Sequence, residues 1–374
     1  MKIAYLCSYF FPAVDGPAQV IYELSQRYIK EGHEVHVYTV DSDKKQRLKI
    51  KEEIIDGIHV HRCYSWFKVA NFSTFWPSVL FKLNKEKFDV IHTHVAGHAH
   101  QFFGALNAKF RGIKLIHTTH CPWTTENRSF FAKILLGIVY NTFMRLSFRW
   151  TDKIIAITPW EIQFIEKYGG KGKIEVIPNG MGKEFFNKVK NNDFKKKHGI
   201  KGKLILFFGR LNKTKGVDKF VLMANDLLKE RKDLDFVIVG PDEGMLDEVK
   251  KIADKRIKIL GAIRDRKEVV KMYQASEVYV LPSFREGLPL TLFEAFAVGL
   301  PVIASPVNGI PYEMKDNENG FFCDYGDISC LKSNVLKLVD NKKLREKMSK
   351  NNVNKAKQYD WDKIAEKVME IYKN

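Results

Sequence analysis

Two glutamates in the second half of the chain, Glu286 and Glu294, have seven residues between them. Gly287 and Pro289 favour a turn after the first glutamate, and the apolar run from Leu290 favours a helix that carries the second. A carboxylate at each place can accept hydrogen bonds from sugar and ribose hydroxyls. Taken alone, the same pair is also typical of helix capping on a solvated surface.

The start of that helix offers a second kind of chemistry. It follows an apolar run that ends at Leu281, so the turn is expected at the carboxyl edge of a sheet. Backbone N–H groups at the start of a helix lack helical partners and bind phosphate groups well. We therefore predict that Gly287, Leu290 and Thr291 contact a diphosphate.

A basic pair, Arg210 and Lys215, follows another apolar run, Leu204–Phe208. Two cations fixed at a strand end can neutralise the charge that develops on a departing diphosphate. A single Arg and Lys in a loop are more often simply solvated. The interpretation as a phosphate site therefore depends on the two glutamates farther along the chain.

The first half of the chain contains a cluster of histidines between residues 92 and 120. Its members are His92, His94, His98, His100, His117 and His120. A metal site is one interpretation, but no pair has the H-E-x-x-H spacing, and histidines at strand ends also line substrate loops. We favour a substrate loop and expect no metal.

The elements that must position these residues can be predicted from apolar patterning. Short runs rich in β-branched and aromatic residues alternate with helix-period segments, which predicts an α/β protein with parallel sheets and crossover helices. Predicted strands of the first half are Ile3–Cys7, Glu34–Thr39, His59–Arg62, Val90–Thr93, Leu115–Thr118, Lys153–Ala156 and Ile174–Val176. Those of the second half are Leu204–Phe208, Asp235–Val239, Ile257–Leu260, Val278–Leu281 and Val302–Ala304.

The alternation breaks once, at the turn-rich run Pro178–Gly182, which a polar stretch follows. We predict an N-terminal domain of residues 1–181, a C-terminal domain of residues 182–359, and a final helix, residues 360–374, packed back on the first domain. Doubly wound domains bind ligands at the carboxyl ends of their strands. We therefore expect a ligand in a cleft between the two domains.

Charge and cysteine content narrow the functional classes. Lys and Arg outnumber Asp and Glu by 62 to 44, a formal net charge of +18, which favours either an anionic partner or a solvated lysine-rich surface. The five cysteines form no C-x-x-C pair, so we expect free thiols, no disulfide framework and a reducing cytoplasm. We also expect no signal peptide and no apolar run long enough to span a membrane.

The motifs together resemble glycosyltransferase family 4 over nearly the whole chain. Residues 284–305 are similar to its E-x7-E motif and the strand that follows, and residues 207–216 are similar to its G-R-x4-K-G motif. Residues 176–180 resemble its interdomain I-P-N-G. Residues 10–17 resemble its N-terminal glycine loop, but Pro17 replaces the second glycine and has no N–H to donate, so only Gly16 is carried over.

One further segment, residues 305–313, resembles the family's G-G-I-x-E segment, with Asn308 in place of the first glycine. Asp41 and Asp43 imitate the D-x-D metal motif of the other major glycosyltransferase fold. They follow the second predicted strand, far in sequence from the donor motifs, so we interpret them as a solvent-exposed loop.

The resemblance implies a GT-B fold, with two Rossmann-like doubly wound domains, and retaining sugar transfer without a metal or another cofactor. It implies that Arg210 and Lys215 hold the diphosphate of a nucleotide-sugar donor. Gly16 and the helix start at Gly287, Leu290 and Thr291 would contact the same diphosphate. Glu286 would orient the sugar, Glu294 the ribose, and His120 a hydroxyl of the transferred sugar. The implied catalytic residues are His120, Arg210, Lys215 and Glu286.

The resemblance leaves the substrates open. We favour a UDP-sugar as donor, with GDP-mannose second, and a lipid-linked or glycan acceptor. The segment Arg128–Trp150 is apolar, aromatic and basic at its edges, which fits either a membrane-surface helix or a core-facing helix. We therefore expect a cytoplasmic protein, with peripheral contact to the acidic membrane face as an open alternative.

Two other classes remain as alternatives. A polysaccharide phosphorylase-like enzyme would share the architecture but needs pyridoxal phosphate on a lysine. A basic nucleic-acid-binding protein would use the positive charge, but no binding motif of the known modules occurs, so we expect no nucleic-acid partner.

Overall fold

A computed structural model describes residues 1–13, 15–43, 46–69, 73–123, 130–190 and 192–374. Val14 of the glycine loop, the run Lys44-Lys45, and Arg128 and Ser129 ahead of the apolar helix lie outside them.

The chain divides into two compact units, residues 1–179 with 361–374 and residues 180–360. The predicted domain limits at 181/182 and 359/360 lie within two residues of these divisions. Met181 belongs to the second unit because its N–H donates to the carbonyl oxygen of Tyr359 at 2.8 Å and it forms a β-bridge with Asp360. The second unit is thus a continuous stretch of sequence, flanked on both sides by parts of the first.

The first unit is built on a mostly parallel sheet. Its strands are β1 (Lys2–Leu6), β2 (Glu34–Val40), β3 (Glu52–Ile55), β4 (Ile58–Cys63), β5 (Phe67–Val69), β6 (Ser73–Phe75), β7 (Val90–His94), β8 (Lys114–Thr118), β9 (Lys153–Ala156) and β10 (Ile174–Val176). Eight of them follow the order β10-β9-β8-β7-β1-β2-β4-β3, and only the β3–β4 pair is antiparallel. Strands β5 and β6 form a separate antiparallel ribbon.

Helices connect these strands and pack on the sheet. They are α1 (Gly16–Lys30), α2 (Ser78–Leu83), α3 (Ala99–Arg111), α4 (Phe130–Val139), α5 (Arg145–Trp150) and α6 (Ile162–Lys167). His98 caps α3 and His100 lies in its first turn, so these two histidines belong to a helix start and not to the predicted loop.

The second unit repeats the pattern with a six-stranded parallel sheet. Its strands are β11 (Lys203–Phe208), β12 (Leu234–Val239), β13 (Lys258–Leu260), β14 (Val278–Leu281), β15 (Val302–Ala304) and β16 (Gly320–Phe322), in the order β13-β12-β11-β14-β15-β16. Its helices are α7 (Phe194–Lys197), α8 (Val217–Glu230), α9 (Leu246–Ile252), α10 (Arg266–Gln274), α11 (Leu290–Ala297), α12 (Ile310–Glu313), α13 (Ile328–Asp340) and α14 (Lys342–Ala356).

The last helix, α15 (Trp361–Lys373), completes the first unit. The hydroxyl of Tyr28 in α1 donates to the carbonyl oxygen of Ala365 at 3.0 Å. The Tyr372 hydroxyl lies 2.9 Å from the hydroxyl of Tyr5 and 2.5 Å from Nδ1 of His92, both buried in the sheet. The C-terminal helix therefore supplies polar partners to the centre of that sheet.

The segment Phe130–Trp150 is one continuous helical stretch, with a π-helical turn, Tyr140–Met144, between α4 and α5. Among the described residues it is the helix that is long and apolar enough to cross a membrane, so the expectation that no apolar run reaches that length is wrong. Core helices of soluble proteins can have the same length and apolar composition. Here a stripe containing Leu136, Met144 and Phe148 is buried in a cluster with Trp123, so the segment packs against the first unit along one side.

Two smaller expectations also fail. Cys323 and Cys330 form a disulfide, with Cα atoms 5.7 Å apart, although no C-x-x-C spacing announces it; Cys7, Cys63 and Cys121 are free and buried.

The proposed exposed loop at Asp41 is wrong as well, because that carboxylate is fully buried. It pairs with Arg47 at 2.9 Å and Lys51 at 2.7 Å, and it accepts hydrogen bonds from Ser65. Asp41 thus ties the segment after β2 to the segment after β4.

Candidate functional site

The loop after β11 brings Lys215 to Glu286, 71 residues later in the chain. The Lys215 ammonium lies 2.7 and 2.6 Å from the two carboxylate oxygens of Glu286. The Ser283 hydroxyl donates to the same carboxylate at 2.7 Å, and both Ser283 and Glu286 are buried. Two residues that the sequence placed in separate motifs therefore form one ion pair at the carboxyl edge of the second sheet.

Gly216 makes this contact possible. It has a left-handed φ of 65°, and a Cβ built there would lie 1.9 Å from the carbonyl oxygen of Pro282. Any side chain would push the loop after β11 away from the loop after β14. The Thr214 carbonyl also accepts the N–H of Phe284 at 2.9 Å, which fixes the two loops together.

Arg210, the other predicted cation, points elsewhere. Its guanidinium binds Glu243 in the loop after β12, with Nη1 3.2 and 3.0 Å from the two carboxylate oxygens. The Arg210 side chain is 51% exposed, whereas that of Lys215 is 15% exposed. The two cations are therefore held by different carboxylates, one pair exposed and the other partly buried.

The helix start predicted at Leu290 is present as the first residue of α11. No side chain of the described residues caps it, and Pro289 occupies the cap position.

Contacts with neighbouring segments fix this turn. The Thr291 hydroxyl accepts a hydrogen bond from Tyr279 at 2.9 Å. Gly287 accepts the N–H of Gly309 through its carbonyl oxygen at 3.2 Å. The turn is thus fixed from both sides, with its helical N–H groups directed outward from the sheet edge.

Glu294 lies one helical turn farther along α11. The Tyr273 hydroxyl donates to its carboxylate at 3.1 Å. Burial raises the pKa of Glu294 to about 7, and the positive charge of Arg266 opposes this shift. The group is therefore near half-protonation at neutral pH, which makes it able either to donate or to accept hydrogen bonds.

Asn308, which departs from the family pattern, adopts a left-handed φ of 48°. A glycine would take this conformation freely, and asparagine is one of the few other residues that tolerate it. The Asn308 side-chain amide and the Ser305 hydroxyl are buried and have no hydrogen-bond partner among the described residues. The substitution therefore keeps the backbone turn and adds an unused donor beside Gly287.

In the first unit, Gly16 is the first residue of α1. Asp15 caps the helix by accepting the N–H of Ala18 at 3.1 Å. A Cβ built at Gly16 would meet no atom of the described residues within 4 Å. The structure thus places Gly16 in a different unit from the other predicted diphosphate contacts.

His120 follows β8 in the first unit and adopts a left-handed φ of 58°. Its Nε2 lies 2.8 Å from Nδ1 of His94, at the end of β7. The Nε2 of His94 is buried without a partner among the described residues. Because a buried N–H without a partner is rarer than a bare acceptor, we assign the shared proton to Nδ1 of His94. His120 then carries its own proton on Nδ1.

The electrostatics of this histidine cluster are those of neutral rings. Burial lowers the pKa values of His92 and His120 to about 3 and that of His100 to about 4. Burial also holds the pKa values of His94 and His117 well below the usual range. In the described chain, the two groups of close-lying metal-type ligand atoms include none of these residues.

Glu161 is a site residue that sequence reasoning missed. Its buried carboxylate accepts the N–H of Cys121 at 2.7 Å, the indole N–H of Trp123 at 2.8 Å, and the N–H of Ile157 at 2.9 Å. Burial raises its pKa, and these hydrogen bonds counter the shift. Glu161 therefore fixes the left-handed turn that presents His120, and only its place after Thr158-Pro159 could have hinted at a structural role.

Comparison with known proteins agrees with these elements. Residues 14–184 match the sequence model of Glycosyltransferase Family 4, and residues 189–355 match that of Glycosyl transferases group 1. The chain is 32% identical to the UDP-Gal:alpha-D-GlcNAc-diphosphoundecaprenol alpha-1,3-galactosyltransferase of Escherichia coli, over 78% of this chain and 76% of that protein.

A second relative matches from end to end. The phosphatidylinositol N-acetylglucosaminyltransferase GPI3 subunit of Saccharomyces cerevisiae is 25% identical over 100% of this chain and 83% of its own length. Among solved structures, HepE of Anabaena in complex with UDP superposes with a TM-score of 0.78 at 18% identity, covering 99% of each chain. That likeness concerns the fold.

The matched motifs, the two parallel α/β units and the family comparisons lead to one conclusion: the chain belongs to glycosyltransferase family 4, has the GT-B fold, and is a glycosyltransferase.

Proposed function

We propose that this glycosyltransferase moves a sugar from a nucleotide-diphosphate donor to a lipid-linked acceptor, with retention of configuration and without a metal ion. The observation that carries the proposal is the ion pair of Lys215 with Glu286. It holds an ammonium group and a carboxylate in fixed positions at a strand end, beside the uncapped start of α11.

The chain's own groups supply the charge that the departing diphosphate needs. Lys215 exchanges its carboxylate partner for a phosphate oxygen, Arg210 contributes a second cation, and the N–H groups at Leu290 and Thr291 add hydrogen bonds. The Asn308 amide is a further donor for this phosphate. Since fixed positive charge is present, a divalent ion is not needed to stabilise the leaving group.

The rest of the donor is held by the two glutamates and His120. Glu286 accepts hydrogen bonds from the sugar, Glu294 from the ribose, and His120 contacts a hydroxyl of the transferred sugar through Nδ1. The bond to the diphosphate breaks through an oxocarbenium-like state. The acceptor hydroxyl then enters on the face that the diphosphate leaves, which gives retention.

We propose a UDP-sugar as the donor, with GDP-mannose second. The Escherichia coli relative is named for UDP-Gal, and the HepE structure contains UDP. Thermal unfolding with UDP, GDP and ADP tests this choice, because a ligand at 100 times its dissociation constant stabilises by about 2.7 kcal/mol. Stabilisation by UDP alone supports the proposal, and stabilisation by GDP alone replaces UDP with GDP.

Reaction products test the mechanism. Proton NMR of the first product formed from an α-linked donor must show an α-linkage, and activity must persist in EDTA. A β-linked first product contradicts retention. Loss of activity in EDTA that Mg²⁺ or Mn²⁺ restores contradicts the metal-free mechanism.

The lipid-linked acceptor and a place on the acidic cytoplasmic face of the membrane are proposed from the helical segment Phe130–Trp150. Opposite its buried stripe it exposes Phe131, Ile134 and Ile138, with Phe131 81% exposed. Basic side chains that include Lys133 and Arg149 are exposed on the same segment. An apolar face with a basic border is typical of helices that lie in a membrane interface. The two curated relatives are named for phosphatidylinositol and diphosphoundecaprenol compounds, both lipids.

Co-sedimentation with vesicles tests the membrane proposal. Binding is expected to require acidic lipid and to weaken with salt, since exposed charges are screened beyond about 10 Å at 0.1 M. The triple variant Phe131→Ser, Ile134→Ser, Ile138→Ser is expected to lose binding, whereas Leu222→Ser, an exposed apolar residue of the second unit, keeps it. Equal binding of both variants contradicts the proposal.

A further inference from the structure

A second cluster of ionisable side chains lies at the amino end of the first sheet, away from the carboxyl ends that carry His94 and His120. His36 lies near the start of β2, and His59 is its register partner on β4. His61, two residues along β4, points to the same face, because side chains alternate along a strand. Glu34 and Glu86 border these three rings.

The rings contact one another closely. His36 stacks on His61 with ring centroids 5.1 Å apart and on His59 with centroids 4.7 Å apart. Nδ1 of His36 lies 2.8 Å from Nε2 of His61, and Nε2 of His36 lies 2.9 Å from Glu34 and 3.7 Å from Glu86. In each of the sets Glu34-His36-His59 and His36-His61-Glu86, the ligand atoms all lie within 4.8 Å of one another.

This cluster has one N–H group fewer than its hydrogen bonds require. Glu34, His36, His61 and Glu52 form a chain of three contacts, with Nδ1 of His61 on the Glu52 carboxylate. Three contacts need three N–H groups, but two neutral imidazoles supply only two. The chain of contacts therefore needs one additional cation, either a proton or a metal ion.

Lys2 already occupies a cation position beside the rings. Its ammonium group lies 2.8 Å from Glu34 and also pairs with Glu86. Both carboxylates thus face a position where positive charge is favourable, and His36 directs Nε2 to the same position. A metal ion that binds there has to displace the Lys2 ammonium, so Lys2 acts as a built-in competitor.

We propose that His36, His61 and Glu86, with Glu34 and His59 beside them, bind a divalent transition-metal ion of the zinc type. Imidazole and carboxylate ligands suit zinc and its neighbours better than Mg²⁺, which prefers oxygen. Ligand atoms about 2.0–2.2 Å from zinc lie about 3.4 Å apart in a tetrahedron, so small side-chain movements within the 4.8 Å clusters are enough.

Such an ion joins β2, β4 and the segment before β7 on one face of the sheet. It lies at the strand ends opposite those of the proposed transfer chemistry and takes no part in it. Its binding therefore stabilises the first unit and leaves the metal-free transfer mechanism unaffected.

The test is a zinc titration of the purified, untagged, metal-free chain, in competition with a chromogenic chelator. One saturable Zn²⁺ site and no response to Mg²⁺ are expected. His61→Asn is expected to weaken zinc binding at least about tenfold, while His198→Asn, a half-buried histidine of the second unit, leaves it unchanged. The absence of a saturable site, or equal affinity in both variants, overturns the proposal.

Lys2→Met provides the independent check, because a folding defect cannot imitate it. Removal of the competing ammonium is expected to tighten zinc binding at least about threefold and to increase the zinc-dependent rise in Tm. Unchanged or weaker binding in Lys2→Met means that the ion does not enter between Glu34 and Glu86, and this result also overturns the proposal.

Discussion

The candidate site residues of the two units differ in their charge state. In the second unit the candidate residues are ions: Lys215 is paired with Glu286, and Arg210 with Glu243. In the first unit they are neutral rings, because burial lowers the pKa values of His92 and His120 to about 3. Charged pairs suit a diphosphate, whereas neutral hydrogen-bonding rings suit the hydroxyls of a sugar.

The difference also concerns what happens on binding. A carboxylate that holds a cation in the free protein keeps that cation oriented until a phosphate replaces it, so under the proposed function the pair acts as a preformed anion site. Among the described residues, no carboxylate pairs with His92 or His120, so binding there exchanges no counter-ion. Substitutions that remove a charge or a hydrogen-bond acceptor, and changes of pH, are therefore expected to affect the two units differently.

The largest effect is expected in the second unit, for Lys215→Met. Loss of the partly buried ammonium leaves Glu286 without this partner and, under the proposed function, removes one fixed cation from the leaving group. We expect kcat to fall at least about a hundredfold, since one positioned donor contributes about 2.7–4 kcal/mol. Arg210→Ala is expected to reach the same range. The control is Lys213→Met, an exposed lysine two residues earlier, and near-normal rates for both Lys215→Met and Arg210→Ala would contradict the assignment.

The next effect is expected in the first unit for Glu161, whose buried carboxyl group fixes the turn that holds His120. Glu161→Gln places an amide where a carboxylate accepts N–H groups from Cys121, Trp123 and Ile157. At least one buried donor then loses its acceptor, which costs about 1–3 kcal/mol of unfolding free energy. Urea unfolding measures this change, and turnover should fall as well because the His120 turn loosens.

Glu166→Gln is the control, because Glu166 is exposed on α6, and it should match the wild type in both measurements. An unchanged stability for Glu161→Gln contradicts the assignment of Glu161 as the group that fixes the His120 turn.

A smaller effect is expected from pH, and again only in the second unit. Burial raises the pKa of Glu294 to about 7, and in the proposed mechanism the ribose hydroxyls donate to its ionised form. Donor affinity should therefore rise about five- to tenfold from pH 6 to pH 8 and then level off. Calorimetry with the nucleotide measures it, and Glu294→Gln should remove the dependence. A titration that persists in Glu294→Gln would assign it to another group.

The same shift has the opposite effect on stability. The pKa of about 7 in the folded protein lies above the unfolded value of about 4.3. The contribution of Glu294 to folding is therefore complete below the unfolded value and is lost as pH rises through about 7.

The smallest effect tests the exposed ion pair. Glu243→Gln frees the Arg210 guanidinium from its carboxylate, and nucleotide affinity should increase about two- to fourfold, because exposed pairs contribute about 0.2–1 kcal/mol. Glu230→Gln, which breaks an exposed pair with Lys332 in the same unit, should leave affinity unchanged. Weaker nucleotide binding in Glu243→Gln would show that Glu243 itself contributes to the site.

Sequence reasoning found the strands that are buried on both faces, because these form apolar runs such as Ile3–Cys7 and Leu204–Phe208. It missed β3, whose sequence Glu-Glu-Ile-Ile carries charge and pairs antiparallel at the sheet edge. An edge strand needs no continuous apolar run, so the apolar pattern of the sequence does not predict it. It also missed β16, because this strand begins with Gly320, a residue that weakens a strand pattern, and only two apolar residues follow.

Local motifs indicate candidate site residues, but they do not indicate the partners that come from distant loops. The motifs gave Lys215 and Glu286 separately, but only the fold shows that the two form a pair. Glu243 and Glu161 belong to no motif, and the burial of Asp41 depends on cations six and ten residues later. Such partners are chosen by loop geometry, which local sequence does not encode.

The return of α15 to the first unit has a consequence for synthesis on the ribosome. Tyr5 and His92 are made before the second unit, but their partner Tyr372 is made only after it. The intervening second unit, residues 180–360, takes about 10–40 s to translate at about 5–20 residues per second. The nascent second unit is continuous and can fold first. The first unit is completed only when α15 has been made, because Nδ1 of His92 lacks its Tyr372 partner until then.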